Sequence, residues 1–288
     1  MTLDTLRCFC ALAETGSFRE AAAQVHRSQP AISQQMKSLE RELGHVLFDR
    51  KSAQPTPLGA LVCQRAREIL RAVDTLAREV SDFDESVGHE LRVGTSDTTA
   101  LYVLPPCVRR FAEAMPQTRL VLVNRNSAAI AEQVLRGDLD LGIVTLPCQR
   151  PEFEEQELFQ QQLVLVAPVG HRLARMRHAP LSALANVPIM LIDAQTRTGA
   201  LLREHFRAVG FTPQVVLDSG SFEVIKRYVA EGVGLSFLPQ AVISPDDTRL
   251  VTVRIAGLPR VSIGVIRRRG VYRSKAEKAF LELLLDAG

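Results

Sequence analysis

The stretch SQPAISQQMKSLEREL, residues 28–43, carries two patterns on one helix. Ile32, Met36, Leu39 and Leu43 recur at i, i+4, i+7 and i+11, a stripe suited to burial. Gln29, Ser33, Gln34 and Lys37 fall on another face, and none of them is needed for a core. Ser28 supplies an N-cap, and Pro30 is tolerated in the first turn because its missing N–H would have had no partner there. Upstream, Ser17-Phe18-Arg19-Glu20 reads as a capping box, in which Ser17 accepts from the amide of residue 20 and Glu20 reaches back. It starts a helix that runs through three alanines to about Val25. Before it, Leu3, Leu6, Phe9 or Cys10, and Ala13 set an amphipathic first helix ending near Gly16. A helix, a tight turn and a second helix with hydrogen-bonding residues at its N-terminal end make the helix-turn-helix layout. Gln can pair with adenine edges, Ser can touch a base or phosphate, and Lys can reach a phosphate or guanine. A merely solvated helix face fits the same periodicity.

Charge does not choose between these readings. The net charge is +3, and residues 1–58 carry seven basic side chains against six acidic ones. The apolar fraction of 46% and charged fraction of 23% exclude a disordered or membrane-embedded chain. No apolar run spans a bilayer, and the opening Met1-Thr2-Leu3-Asp4 lacks an export signal, so a cytoplasmic protein with no membrane partner is expected. The five cysteines (Cys8, Cys10, Cys63, Cys107, Cys148) form no CxxC pair, which argues against a metal site and for idle, buried thiols.

The run from Leu6 to Gly59 resembles the winged helix-turn-helix of LysR-type transcription regulators. The matching residues are Phe9, Ala13-Glu14-Thr15-Gly16-Ser17-Phe18, Ala21-Ala22, Val25, Ser28-Gln29-Pro30-Ala31-Ile32-Ser33, Leu39-Glu40, Leu43-Gly44, Leu47-Phe48-Asp49-Arg50 and Thr56-Pro57-Leu58-Gly59. The resemblance implies that Ser28, Gln29, Pro30, Ser33, Gln34 and Lys37 face the major groove of double-stranded DNA, with Arg50 on the wing. Pro55 departs from the family, which usually has an apolar residue there.

From Gly59 the rhythm changes. Val62, Ala66, Ile69, Val73, Leu76, Val80, Phe83 and Val87 are spaced alternately by four and three, a 3.5-residue repeat of the kind that packs a helix along a partner helix. A long helix lying on its own domain is the competing reading. In LysR-type proteins the matching helix pairs two chains, which implies a homodimer or homotetramer. Two joined heads gain affinity through effective concentration.

Near Gly88 strands begin to alternate with helices, which predicts open α/β sheets in two lobes with a cleft between them. The expected strands are 91–94, 120–123, 139–144, 163–166, 189–192, 215–217, 234–237 and 261–266. The expected helices are 104–115, 128–135, 198–208, 222–231 and 274–285. The domain expectation is a DNA-binding head at 1–58, a linker helix at 59–88 and an effector domain at 89–288. Its first lobe covers about 89–162 and 267–288, and its second about 163–266. Hydroxyl-rich turns fall at the ends of these strands: 95–99, Asn126-Ser127, Thr145, 196–199 and 219–221. Helix capping explains any one of them. Five at corresponding ends point to a polar cleft.

The resemblance covers this half as well and implies a two-lobed, periplasmic-binding-protein-like (type II) effector domain. Its first turn is similar to that of the sulfur-assimilation regulators, which hold small anions with hydroxyls. On matching positions this implies effector contacts at Ser96, Thr98, Thr99, Ser127 and Thr145, and more loosely at Thr196 and Thr198. Arg197 is a candidate carboxylate clamp, with a surface salt bridge as its alternative. Asp97 opposes a simple anion site unless it points away, and an amine or polyol ligand is the alternative. The peroxide sensors of the family use a cysteine pair in the second lobe, and here no cysteine follows Cys148. A polar or anionic metabolite is thus the expected ligand, no cofactor is implied, and RNA polymerase is a further partner such a regulator could engage. A stand-alone solute-binding protein would want an export signal and no head. An enzyme on the two-lobed fold would want a nucleophile, metal or phosphate-loop motif, and GxSxG, HExxH, the P-loop and GxGxxG are all missing.

Overall fold

The computed structural model describes residues 1–49, 52–81 and 89–286. The chain divides into two compact units, Met1–Glu85 and Ser86–Gly288.

In the first unit α1 (Leu3–Thr15), α2 (Phe18–Gln24) and α3 (Gln29–Leu43) enclose a core of Leu6, Phe9, Leu12, Ala21, Ile32, Met36 and Leu39. The bounds of α3 follow its caps. Ser28 Oγ accepts from the amide of Ala31 at 3.4 Å, and Gly44 ends the helix at φ 72°, a left-handed conformation natural to glycine. Ser17 caps α2 as expected, accepting from Glu20 N at 3.4 Å. The reciprocal half of the box is replaced, because the Ser17 amide donates to Thr15 Oγ1 at 3.3 Å. Leu43 was expected in the core and is instead 38% exposed, as the final residue of the helix. Among the described residues the wing shows one antiparallel bridge, between Phe48 and Pro55, where a proline needs to give no amide to a longer ladder. Glu40 Oε1 anchors the approach to it, accepting from the amides of Leu47 (2.8 Å) and Phe48 (3.2 Å). Phe48 packs edge-on against Phe9 at 5.0 Å.

The long helix α4 runs Pro57–Ser81 and starts against the wing. A Cβ on Gly59 would come within 2.0 Å of the Leu47 carbonyl oxygen, so only glycine permits this approach. The expected seam splits along its length. Ala66 is buried in the core of its own head together with Cys63, and Val62 packs on that core, whereas Ile69, Leu76 and Val80 stand 42%, 58% and 62% exposed. Val73 is half-buried. The first two seam positions are therefore covered by the head itself, and the free part of the seam begins beyond them. Arg50, Phe83 and Val87 lie outside the described residues.

The second unit is a pair of sheets sharing one strand. In chain order its elements are β1 (His89–Thr95), α5 (Asp97–Tyr102), α6 (Leu104–Ala114), β2 (Thr118–Asn124), α7 (Ser127–Arg136), β3 (Leu141–Thr145) and β4 (Phe153–Pro168). They continue with β5 (His178–Ala179), β6 (Pro188–Ile192), α8 (Arg197–Ala208), β7 (Gln214–Ser219), α9 (Phe222–Ala230), β8 (Leu235–Pro239), β9 (Leu250–Ile255), β10 (Arg260–Arg268) and α10 (Lys275–Leu285). The first lobe has β1 parallel to β2 and β3, with β10 antiparallel to β3 and to the first part of β4. The second lobe has the last part of β4 antiparallel to β8 and β9, with β6 parallel to β7 and β8.

Strand β4 is much longer than the expected 163–166. Its first part, FEEQELFQQQ, is a half-buried strand whose polar residues hide the apolar signal. The chain returns to the first lobe at Arg260, where β10 begins, and not near residue 267 as the sequence suggested, because 260–266 pair with β4 and β3. Helix α5 and strand β9 were also unforeseen. A Cβ at Gly199 would lie 2.1 Å from the Asp193 carbonyl oxygen, so glycine lets α8 start tight against the end of β6.

Candidate functional site

Two regions of the molecule present side chains that the fold itself does not use. The first is the outer face of α3. Gln29, Pro30, Gln34 and Lys37 are exposed and Ser33 is half-buried. Among the described residues, the side chains of Gln29, Ser33, Gln34 and Lys37 make no hydrogen bond or ion pair to protein. Nearby polar groups are committed elsewhere. Arg27 donates to Asp4 Oδ2 at 3.1 Å, and Gln35 Nε2 to the same oxygen at 3.0 Å. Asp4 thereby ties α1 to the turn before α3 and to its inner flank. What remains is a row of unpaired donors and acceptors on a rigid helix.

The second region is a cleft between the two lobes of the second unit, a cavity of about 830 Å³ including its open mouth. Ser96, Thr98, Thr99, Ser127, Thr145, Thr196, Arg197 and Thr198 all line it, although they come from four separate segments. Topology brings them together, since β1, β3 and β6 end at the same cavity. The hydroxyls are held in place by backbone. Ser96 Oγ accepts from Thr99 N at 3.4 Å and lies 3.2 Å from Thr99 Oγ1. Ser127 Oγ accepts from Thr145 N at 3.2 Å, which locks the start of α7 to the end of β3. Thr196 Oγ1 accepts from Gly199 N at 3.0 Å and donates to Asp193 O at 2.7 Å. Among the described residues, the hydroxyls of Thr98, Thr145 and Thr198 make no hydrogen bond to protein.

Residues beyond the expected set complete the lining: Asp97, Asn124, Arg125, Asn126, Gln161, Ile192, Gly220, Ser221, Phe222 and Ile263. The turn at 219–221 was visible as hydroxyl-rich, but Gln161 gave no signal because its strand was not recognised. Asp97 does face the cleft. Arg125 and Arg197 line the same cavity, two basic residues to one acidic. Arg197 is exposed and, among the described residues, makes no ion pair, so the surface salt bridge weighed for it is not formed there. The N-termini of α7, α8 and α9 all open on the cavity through Ser127, Arg197 and Phe222. Unsatisfied amides and aligned dipoles there favour negative charge. A neighbouring pocket continues along Pro147, Cys148 and Arg150 and shares Ser127, Thr145, Thr196 and Arg197 with the cleft.

A polar cluster joins the lobes beside the cleft. Tyr102, at the end of α5, donates its hydroxyl hydrogen to Glu223 on α9. Lys226, only 14% exposed, donates to the Tyr102 oxygen at 2.8 Å and to Val242 O at 3.1 Å, and lies 3.5 Å from Asp247 Oδ2. Burial, with Glu223 as acceptor, pushes the Tyr102 phenol above its ordinary pKa. Burial works to lower the Lys226 pKa, but the Tyr102 hydrogen bond and the Glu223 and Asp247 charges outweigh it and hold the ammonium above its usual range.

The thiols are poorly placed for redox chemistry. Burial raises the pKa of Cys107 and of Cys148, the latter with help from Glu155, and a hydrogen bond with Cys63 followed by burial raises that of Cys10. Among the described residues no group of His, Cys, Asp and Glu could hold a metal ion, and no helix is long and apolar enough to cross a membrane.

Residues 3–60 match the family model described as "Bacterial regulatory helix-turn-helix protein, lysR family", and residues 84–288 match the "LysR substrate binding domain". Among curated proteins, the DNA-binding transcriptional dual regulator OxyR of Escherichia coli (strain K12) is 30% identical over 290 residues, covering 96% of this chain and 93% of that protein. A full-length OxyR variant from Pseudomonas aeruginosa superposes with a TM-score of 0.74 at 23% identity, covering 100% of this chain and 94% of that one. Full-length CbnR in complex with its target DNA superposes at 0.67, with 23% identity and complete coverage of both chains.

Proposed function

The chain belongs to the LysR family of DNA-binding transcription regulators with an effector-binding domain, and on that premise we propose that its cleft holds a small metabolite bearing an oxyanion or carboxylate. The observation that carries this reading is the convergence of three helix N-termini, three unengaged threonine hydroxyls and two guanidiniums on one cavity. Asp97 lines the same cavity, and it favours a ligand that presents a hydroxyl or amine beside its anionic group. Binding acts by differential affinity: a ligand that bridges the lobes favours their closed arrangement, and the heads respond to that change.

The DNA-reading element of the proposal is the outer face of α3, with Ser28, Gln29, Pro30, Ser33, Gln34 and Lys37 at the groove. Two chains joined through the exposed seam of α4, at Ile69, Leu76 and Val80, present it twice. Binding should be salt-dependent, as phosphate contacts release counterions. The test is a thermal-shift screen of carboxylates and oxyanions on the full chain, repeated with Thr98→Ala and Arg197→Ala. A ligand that binds only the folded state at a hundred times its Kd stabilises by about 2.7 kcal/mol. Both variants should lose that shift while binding duplex DNA as before. A ligand whose shift survives in both variants places the effector elsewhere.

A further inference from the structure

We propose that Gln161 contacts the effector at the base of the cleft, donating a hydrogen bond from its amide to an acceptor atom of the ligand. The inference rests on the reading of the cleft as the effector site. Three residues that line the cavity are buried and strand-borne: Gln161 on β4, Ile192 at the end of β6 and Ile263 on β10. Gln161 is the polar one, at 9% exposure. Its Nε2 is sealed from solvent and has no hydrogen-bond partner among the described residues. A buried amide nitrogen without an acceptor is costly, and such a group in a native fold asks for an explanation. An apolar residue of similar volume would pack there without that cost.

A ligand supplies the missing acceptor. The terminal torsion of a glutamine is broad, so the amide turns toward the cavity it already lines without leaving a rotamer well. The hydroxyls of Thr98, Thr145 and Thr198, which line the same cavity, are also donors without a partner among the described residues. A carboxylate or oxyanion, which offers several acceptor lone pairs, suits such a set of donors.

The position of Gln161 gives the contact a further consequence. Gln161 pairs with Val261 in the first-lobe sheet, and two residues later Leu163 pairs with Pro239 in the second. The residue therefore stands where β4 passes from one lobe to the other. A ligand that engages it is seated at the hinge, where a small change in strand direction alters the separation of the lobes.

The experiment compares wild-type full-length protein with Gln161→Met and Gln161→Glu by thermal melting. Each is measured in sodium chloride alone and with sulfate, inorganic phosphate or acetate at matched ionic strength. Methionine matches the shape of glutamine without its polar end, and glutamate adds a charge that repels an anion. At least one anion is expected to raise the melting temperature of the wild type. Gln161→Met should melt no lower than wild type in chloride, and should need at least tenfold more of that anion for the same shift. Gln161→Glu should show no shift. A Gln161→Met protein that melts lower in chloride makes Gln161 a structural residue and overturns the proposal. So does a wild-type protein that responds while Gln161→Met responds equally, which leaves the cleft reading intact. A wild type that responds to none of the three anions removes the anionic reading of the cleft, and the Gln161 contact with it.

Discussion

The outer face of α3 and the interlobe cleft both carry unpaired polar groups, but they come by them differently. On α3 the core uses Ile32, Met36 and Leu39, and Gln29, Gln34 and Lys37 are left over on the far side of one rigid helix. In the cleft Ser96, Ser127 and Thr196 hold the backbone in place with the same oxygens that line the cavity. The polar groups on α3 can thus be removed without touching the fold, whereas these three cleft hydroxyls cannot. The contrast extends into α4, where Ala66 belongs to the head and Leu76 and Val80 are free of it.

Breaking the free seam should have the largest effect. Leu76→Glu combined with Val80→Glu is expected to convert a dimer to single chains by sedimentation and to weaken binding to a two-half-site duplex by about 100-fold, the lower end of what linkage of two sites contributes. The head should stay folded, because neither residue packs in its core.

Removal of a cleft cap comes next. Thr196→Ala should lower stability by about 1 kcal/mol in denaturant melts, the usual worth of an N-cap. Gln34→Ala should stay within about 0.5 kcal/mol of wild type, as surface changes do. Equal losses in the two variants would erase the distinction drawn above.

A comparable effect is expected at the interlobe cluster. Tyr102→Phe removes the hydroxyl shared by Glu223 and Lys226. Effector affinity should fall a few-fold, about 1 kcal/mol for a partly exposed hydrogen bond, and titration calorimetry would read it.

The smallest effect is a matter of pH. Tyr102 and Lys226 both hold their protons more tightly in the folded chain than their ordinary values of 10.0 and 10.5. The stability they contribute is therefore complete below those values and is lost as pH rises through the raised, folded-state ones. Wild type should lose stability above pH 10 more steeply than Tyr102→Phe, as followed by thermal melts.

Much of this was legible in the sequence, for reasons that differ by region. The bounds of α3 were readable because Ser28, Pro30 and Gly44 mark both ends, and its free face because a period of 3.6 separates used from unused residues. The lobes were readable from alternating apolar runs, and the cleft from hydroxyls at strand ends. Gln161 was hidden, since FEEQELFQQQ looks like a polar loop until β10 pairs with it. Helix α5 was hidden too, because Ser96 and Thr99 serve a cap and a turn equally well. The division of the α4 seam depends on Ala66 and Cys63 meeting α1, a contact between distant segments that no heptad pattern encodes.

The most direct measurement is the affinity of full-length wild type, Gln34→Ala and Lys37→Ala for a selected duplex and for a random one, by fluorescence anisotropy at two salt concentrations. Gln34→Ala should lose about 1–3 kcal/mol of discrimination for the selected duplex while keeping its affinity for the random one. Lys37→Ala should weaken both and flatten the salt dependence. Unchanged binding of both duplexes by both variants would contradict the assignment of α3 as the helix that reads DNA.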